Sequence, residues 1–173
     1  MRCLTKEECA SWVAEHGMIA FPYGDWNQFP ELAAGYYRQL NVQSLRSDWS
    51  QYLIEAITPF QSALLWIIDE GWNSPPLDAL VSAVRRSHGE QKPVEATPGH
   101  LCVGDEADEL AGLFFLTMAM GGCAYLYVAD SRTIFYNWEG DLVDTWTKNE
   151  RHRQSIEELQ GQLQPNIVSR GSE

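Results

Sequence analysis

The sequence predicts an α+β fold: a single domain built on a mixed β-sheet, with a central buried helix and a C-terminal antiparallel meander. Three observations carry that expectation. Apolar runs too short for free-standing helices recur at 63–69, 99–103 and 123–129 and read as strands. Between them lie two stretches with helical start and stop signals, the second apolar nearly all round. After residue 129 the pattern changes to short alternating runs separated only by turns. The 173 residues fit one domain, with a mostly helical and irregular part over 1–60 and a loose tail over 161–173.

Taken in order, Thr5-Lys6-Glu7-Glu8 reads as a capping box, the Thr5 hydroxyl accepting from the Glu8 amide while the Glu8 carboxylate reaches back. A helix to about His16 follows, with Cys9, Trp12 and Val13 at helical spacing, and Gly17 stops it where a positive φ is needed. Residues 18–44 are rich in Pro, Gly and aromatic side chains, and a short strand at 18–21 and a helical turn near 30–40 are expected there. Ser47 or Asp48 caps a second helix to about Ile57, closed by Pro59. The run 63–69 is a buried central strand.

Ser74-Pro75-Pro76 opens the next helix, because proline at the first helical position gives up an amide that has no partner there. It runs to about Ser87 and Gly89 ends it. After the strand at 99–103, Asp105, Glu106, Asp108 and Glu109 crowd the positive end of a long helix reaching about Met120. Its body of Leu110, Leu113, Phe114, Phe115, Leu116 and Met118 makes it the central buried helix. Strands at 123–129, 133–138 and 142–147 follow, joined by turns at Asp130-Ser131-Arg132 and Gly140-Asp141, and a polar helix covers 148–163.

The formal net charge of −12 argues against nucleic acid or an anionic membrane surface as a partner, since both require clustered Lys and Arg. Residues 101–150 hold nine acidic side chains against Arg132 and Lys148, so a face built there attracts a basic partner. Cys3, Cys9, Cys102 and Cys123 form no C-x-x-C pair, and the opening MRCLTKEECASW lacks the basic and long apolar regions of a signal peptide. Reduced thiols in a cytoplasmic protein are expected. The longest apolar stretch, 107–128, begins with acids and is broken by Gly112, Gly121 and Gly122, so it is a helix and a strand and not a membrane span.

His88, His100 and Cys102 are the residues from which a nucleophile or metal site would be built. His100 and Cys102 are two apart on one strand and hence share a face, but no ligand pair at zinc spacing accompanies them. A satisfied histidine beside a buried thiol is the favoured account of them. The acidic group at 105–109 lacks the alternating oxygens and central glycine of a calcium loop, and its place at a helix start accounts for it. Asp69-Glu70 resembles the acidic end of a nucleotide-hydrolase strand, yet no phosphate-binding loop occurs, and no serine sits in a nucleophile elbow. No catalytic residue, cofactor or metal is therefore assigned.

The aromatic strands are the most informative set. Alternation places Tyr125 and Tyr127 on one face and Leu126 and Val128 on the other, and separates Phe135 from Ile134, Tyr136 and Trp138. With one face under the central helix, the second would present rings edged by Asp130, Glu139, Asp141 and Asp144, the composition of an interface. Covering by the terminal helices is the competing outcome.

Over residues 62–146 the sequence resembles a family of small uncharacterised bacterial proteins. The residues that carry the likeness are Leu65-Trp66, Gly71-Trp72-Asn73-Ser74, Arg85-Arg86-Ser87-His88-Gly89-Glu90, Pro98-Gly99-His100-Leu101 and Gly121-Gly122-Cys123-Ala124-Tyr125-Leu126. Family members tend to have an aromatic after the glycine where this chain has Gly122-Cys123. The resemblance implies accessory loci, including mobile gene cassettes and toxin-immunity neighbourhoods, and supplies no catalytic residues.

Two functions from different classes follow. The first is a non-enzymatic protein that binds a basic macromolecule, such as a cytoplasmic immunity protein neutralising a basic toxin through Tyr127, Asp130, Trp138, Glu139, Asp141 and Asp144. Self-association as a homodimer through the aromatic strands is compatible with it. The second is a small-ligand-binding protein or enzyme with a site around His88, His100 and Cys102.

Overall fold

Thr5 caps α1 (Lys6–Glu15) as its sequence predicts. The Thr5 hydroxyl accepts from the Glu8 amide at 3.3 Å, and the Glu8 carboxylate accepts from the Thr5 amide at 2.7 Å. Gly17, at φ +64°, turns the chain back, and the amides of Gly17 and Met18 donate to the carbonyls of Ala14 and Val13 at 2.9 and 3.1 Å. This ending sends Met18 into the core beside Val13. Residues 18–20 accordingly form no strand, which corrects the expectation of one at 18–21.

The structure is a computed structural model describing residues 1–20, 36–42, 49–69, 75–119, 121–138 and 142–163. After β1 (Arg2–Leu4) and α1 come β2 (Tyr36–Asn41), α2 (Trp49–Ile57), β3 (Ser62–Asp69) and α3 (Pro75–Ser87). Next are β4 (Gly99–Val103), a 3-10 turn at Gly104–Glu106, α4 (Ala107–Ala119), β5 (Cys123–Val128), β6 (Thr133–Trp138), β7 (Leu142–Thr147) and α5 (Glu150–Leu163). The candidate caps Ser47 and Asp48, the Gly140-Asp141 turn and residues 164–173 lie outside the described residues. No helix among the described residues is long and apolar enough to cross a membrane. All four cysteines are free thiols.

The α+β class is as the sequence predicts, with seven described strands in one open sheet of order β1-β4-β3-β5-β6-β7-β2. Every pairing is antiparallel, where a mixed sheet was expected. The reason lies in the helical connections. The chain between β3 and β4 comes back alongside β3 in the opposite sense, and α4 joins β4 to β5 with β3 between them. Two helical crossovers thus produce no adjacent parallel pair.

The outer strands β1 and β2 have no sequence signal of their own. β1 is three residues long, too short for periodicity. β2 replaces the helical turn expected near 30–40 over its own span, and the residues before Tyr36 are not described. Its pairing with β7 sets Leu40 opposite Val143, Gln39 opposite Asp144 and Tyr37 opposite Trp146, so cross-strand contacts override weak local preference.

Alternation divides the core into two layers. On one face Leu65, Ile67, Leu126, Phe135 and Val143 pack beneath α2, α4 and α5, which contribute Leu53, Ile54, Ile57, Leu110, Phe114 and Ile156. On the other face Leu64, Trp66, Tyr125, Tyr127, Ile134 and Trp146 pack with Leu4, Cys9, Trp12, Val13 and Met18. The helix over 107–119 is the buried one, as its all-round apolar sequence predicts.

Where β1 crosses β4, Gly99 leaves room for α1. A Cβ there would lie 2.2 Å from Cys9 Sγ and 3.0 Å from Leu4 Cβ. Gly99→Ala is expected to destabilise the fold by roughly 1–3 kcal/mol in urea unfolding, from overpacking. Cys9→Ala in the same chain should restore part of that loss; equal losses in both backgrounds would refute the clash.

Candidate functional site

The largest polar side chain enclosed by the fold, among the described residues, is Arg85, in the last turn of α3 and 1% exposed. Gly89, at φ +85°, ends the helix, and the loop after it folds back over the guanidinium. Nη1 donates to the Thr97 carbonyl at 2.9 Å and to His100 Nε2 at 2.7 Å. Nη2 donates to the carbonyls of Lys92 and Pro93 at 3.1 and 3.3 Å and to Thr97 Oγ1 at 2.6 Å. Thr97 Oγ1 passes a hydrogen bond to Glu90 at 3.3 Å. The carboxyl of Glu90 is held below its ordinary range chiefly by the Lys92 amide, 2.7 Å away. The arginine charge is thus spread over carbonyl dipoles, a histidine and a hydroxyl.

Arginine only donates, so His100 Nε2 accepts and His100 is neutral. Burial first, and the Arg85 charge second, lower its pKa to about 3. Cys102 lies on the same face of β4, as alternation predicts, but it is enclosed in the helical core and burial pushes its thiol up to about 12. His88 stands exposed in the turn after α3. The three do not converge on a cleft. The neighbouring cavity of about 160 Å³ is lined by Arg85, Arg86, Glu90 and Lys92 among others, and by neither His100 nor Cys102. Among the described residues no group of three His, Cys, Asp or Glu side chains is placed to hold a metal. At the acidic helix start, Glu106 accepts from the Val103 amide at 2.9 Å, which is a capping contact.

The six residues of the expected acidic aromatic surface have separate fates. Tyr127 is fully buried, its ring 5.7 Å from that of Tyr125. Asp144 is also fully buried. This corrects the expectation of an open face at these two positions: the alternation is right, but α1 and Met18 contribute to a second core over the rings. Asp130 is exposed in the β5–β6 turn, 3.4 Å from the Gln61 amide. Trp138 ends β6 with its side chain outside the description, and Glu139 and Asp141 lie outside the described residues.

Asp144 nonetheless has distinctive surroundings. It sits on β7 between Tyr136 of β6 and Gln39 of β2. Oδ1 accepts from the Tyr37 hydroxyl at 2.8 Å and from Gln39 Nε2 at 3.0 Å, while Oδ2 has no hydrogen-bond partner among the described residues. The Tyr136 ring stacks on Tyr125 at 4.3 Å, and Tyr37 lies 5.6 Å from Trp146. Sequence reasoning missed Tyr37 and Gln39, because nothing local marks residues 36–41 as the strand beside β7.

Comparison with protein-family models, with curated proteins and with solved structures found no match for the chain.

The buried neutral His100 makes stability depend on pH. Its folded pKa lies below the ordinary value of 6.5, so protonation favours the unfolded chain. The contribution is complete above about pH 6.5 and is lost as pH falls toward 3. Between pH 6 and 4, unfolding free energy should fall by about 1.4 kcal/mol per pH unit through this group. His100→Gln should remove that part of the slope, and equal slopes in urea titrations would refute it.

Proposed function

We propose that the chain is a non-enzymatic binding protein for a macromolecule with a basic surface, most concretely a cytoplasmic immunity-type protein that neutralises a basic toxin. The observation that carries this reading is a groove of about 160 Å³ between α2 and α5, where Tyr52, 42% exposed, is flanked by Glu55 and Glu158. Neither carboxylate forms an ion pair among the described residues. A tyrosine face with a carboxylate on either side suits a lysine or arginine side chain, through cation–π attraction and charge. The net charge of −12 steers a basic partner toward the molecule.

The enclosure of His100 and Cys102 supports binding over chemistry around His88, His100 and Cys102. The likeness to accessory-locus proteins adds to the reading by association. Co-expression with the basic products of adjacent genes tests it. One product should form a stoichiometric complex, weakened at least roughly tenfold by Glu55→Lys with Glu158→Lys. Asp105→Lys, away from the groove, should leave the affinity close to that of the native chain. Basic neighbours that all stay unbound, or a complex indifferent to the double reversal, would count against the reading. Light scattering then separates this complex from a homodimer.

A further inference from the structure

Among the described residues, Asp144 is the fully buried carboxylate on the aromatic face, and its shell is half built. Both donors, the Tyr37 hydroxyl and the Gln39 amide, are neutral and converge on Oδ1, and among the described residues Oδ2 has no hydrogen bond. No ion pair to Asp144 exists among the described residues. A carboxylate has room for about four hydrogen bonds, and a buried charge is ordinarily balanced by a counter-charge. A cation that can donate to oxygen would complete this shell and balance the charge.

The surroundings choose the kind of cation. Calcium and magnesium take six or more oxygen ligands and zinc about four from His, Cys or carboxylate, and one carboxylate among rings supplies neither set. Tyr136 faces Asp144 directly across the strand pair, and Tyr37 lies beside Gln39 on the outer strand. Aromatic faces around a single carboxylate suit an organic cation, which gains cation–π attraction as well as the ion pair. Access lies along β2: Gln39 is exposed, while Tyr37 and Tyr136 are half-buried, so the carboxylate is one side chain from solvent. The Gln39 amide is the contact an incoming group displaces.

We propose that Asp144, with Tyr37 and Tyr136, is a binding site for a primary ammonium or guanidinium group. The site lies on the opposite face of the sheet from the groove between α2 and α5, and it stands independently of the partner assigned to that groove. A bland role, in which Asp144 only pins β2 to β7, makes a different prediction, because that role needs an acceptor and not a charge.

The test titrates the full chain with n-butylammonium, as a free amine, and with a capped Gly-Lys-Gly peptide, as a protein-borne one. Shifts of the Gln39 amide and of the Tyr37 and Tyr136 ring signals are followed by NMR, with n-butanol as the neutral control. Saturable shifts are expected with at least one cation and none with n-butanol. Asp144→Asn keeps an oxygen for Tyr37 and Gln39 but removes the charge, and should weaken binding at least roughly tenfold. Gln39→Arg tethers a cation at an exposed position and should block binding by a similar factor while the chain stays folded. If Asp144→Asn does not fold, Gln39→Arg decides alone.

Binding of the peptide alone assigns the site to a partner's side chain, and binding of n-butylammonium assigns it to a small amine. Absence of saturable shifts, equal response to n-butanol, or undiminished binding in a folded variant would overturn the proposal. Capture of a basic protein by both the native chain and Asp144→Asn, without amine binding, overturns this site and leaves the groove reading in place.

Discussion

Strands β3 and β5, in the middle of the sheet, carry large apolar side chains on both faces, and this constraint organises everything else. Leu64 and Leu65 are both fully buried although they point in opposite directions, and Leu126 and Tyr127 repeat the arrangement next door. Each such side chain gains about 1.5–3 kcal/mol from leaving water, so neither face of the sheet can be left open at its centre. Helices α2, α3, α4 and α5 meet the demand on one side. On the other, α1 and the turn after it bring Trp12, Val13 and Met18 against the rings. The aromatic richness that reads as an interface in the sequence belongs, at Tyr125, Tyr127 and Trp146, to this second core.

The most distinctive segments of the chain serve the same architecture. Arg85, Gly89 and Glu90 on one side and Pro98, Gly99 and His100 on the other are joined by a single clamp, in which the guanidinium collects the loop between them. Gly99 is where α1 and β1 come too close for a side chain. His100 looks like a catalytic base in the sequence and is an acceptor for a buried arginine in the fold. A neutral imidazole is what that geometry requires, since an imidazolium would place two positive groups 2.7 Å apart. The chemistry-bearing residue types here are used for packing a loop onto a sheet.

What the sequence made legible was local. The Thr5 box, the proline-led start of α3 and the alternation in β5 and β6 are set by neighbours within a few residues, and each reads correctly from pattern. The antiparallel sense of the whole sheet, the three-residue β1 and the outer β2 depend on partners far away in the chain. Tyr37 meets Asp144 across 107 residues, a contact for which Tyr-Tyr-Arg-Gln-Leu-Asn offers no local cue. For the same reason the sequence nominated Asp144 as an acidic rim residue, although it is a carboxylate enclosed beside rings. The groove at Tyr52, Glu55 and Glu158 was equally hidden, because it joins faces of two helices a hundred residues apart.

Among the described residues, the two enclosed charges differ in a way that bears on function. Arg85 makes five hydrogen-bond contacts, all to groups within 15 residues of it, and the fold supplies acceptors to both terminal nitrogens. Among the described residues, Asp144 has two neutral donors on one oxygen and none on the other. Leaving a buried acceptor unsatisfied costs about 1–3 kcal/mol, and more when it is charged. An asparagine would keep an acceptor oxygen for both donors without the charge. A shell that the chain itself supplies in this way marks a group used to hold the fold together. A half-built one around a charge, beside aromatic faces and next to an exposed edge residue, is the arrangement in which a ligand lowers the free energy of the whole molecule by supplying what the chain leaves out.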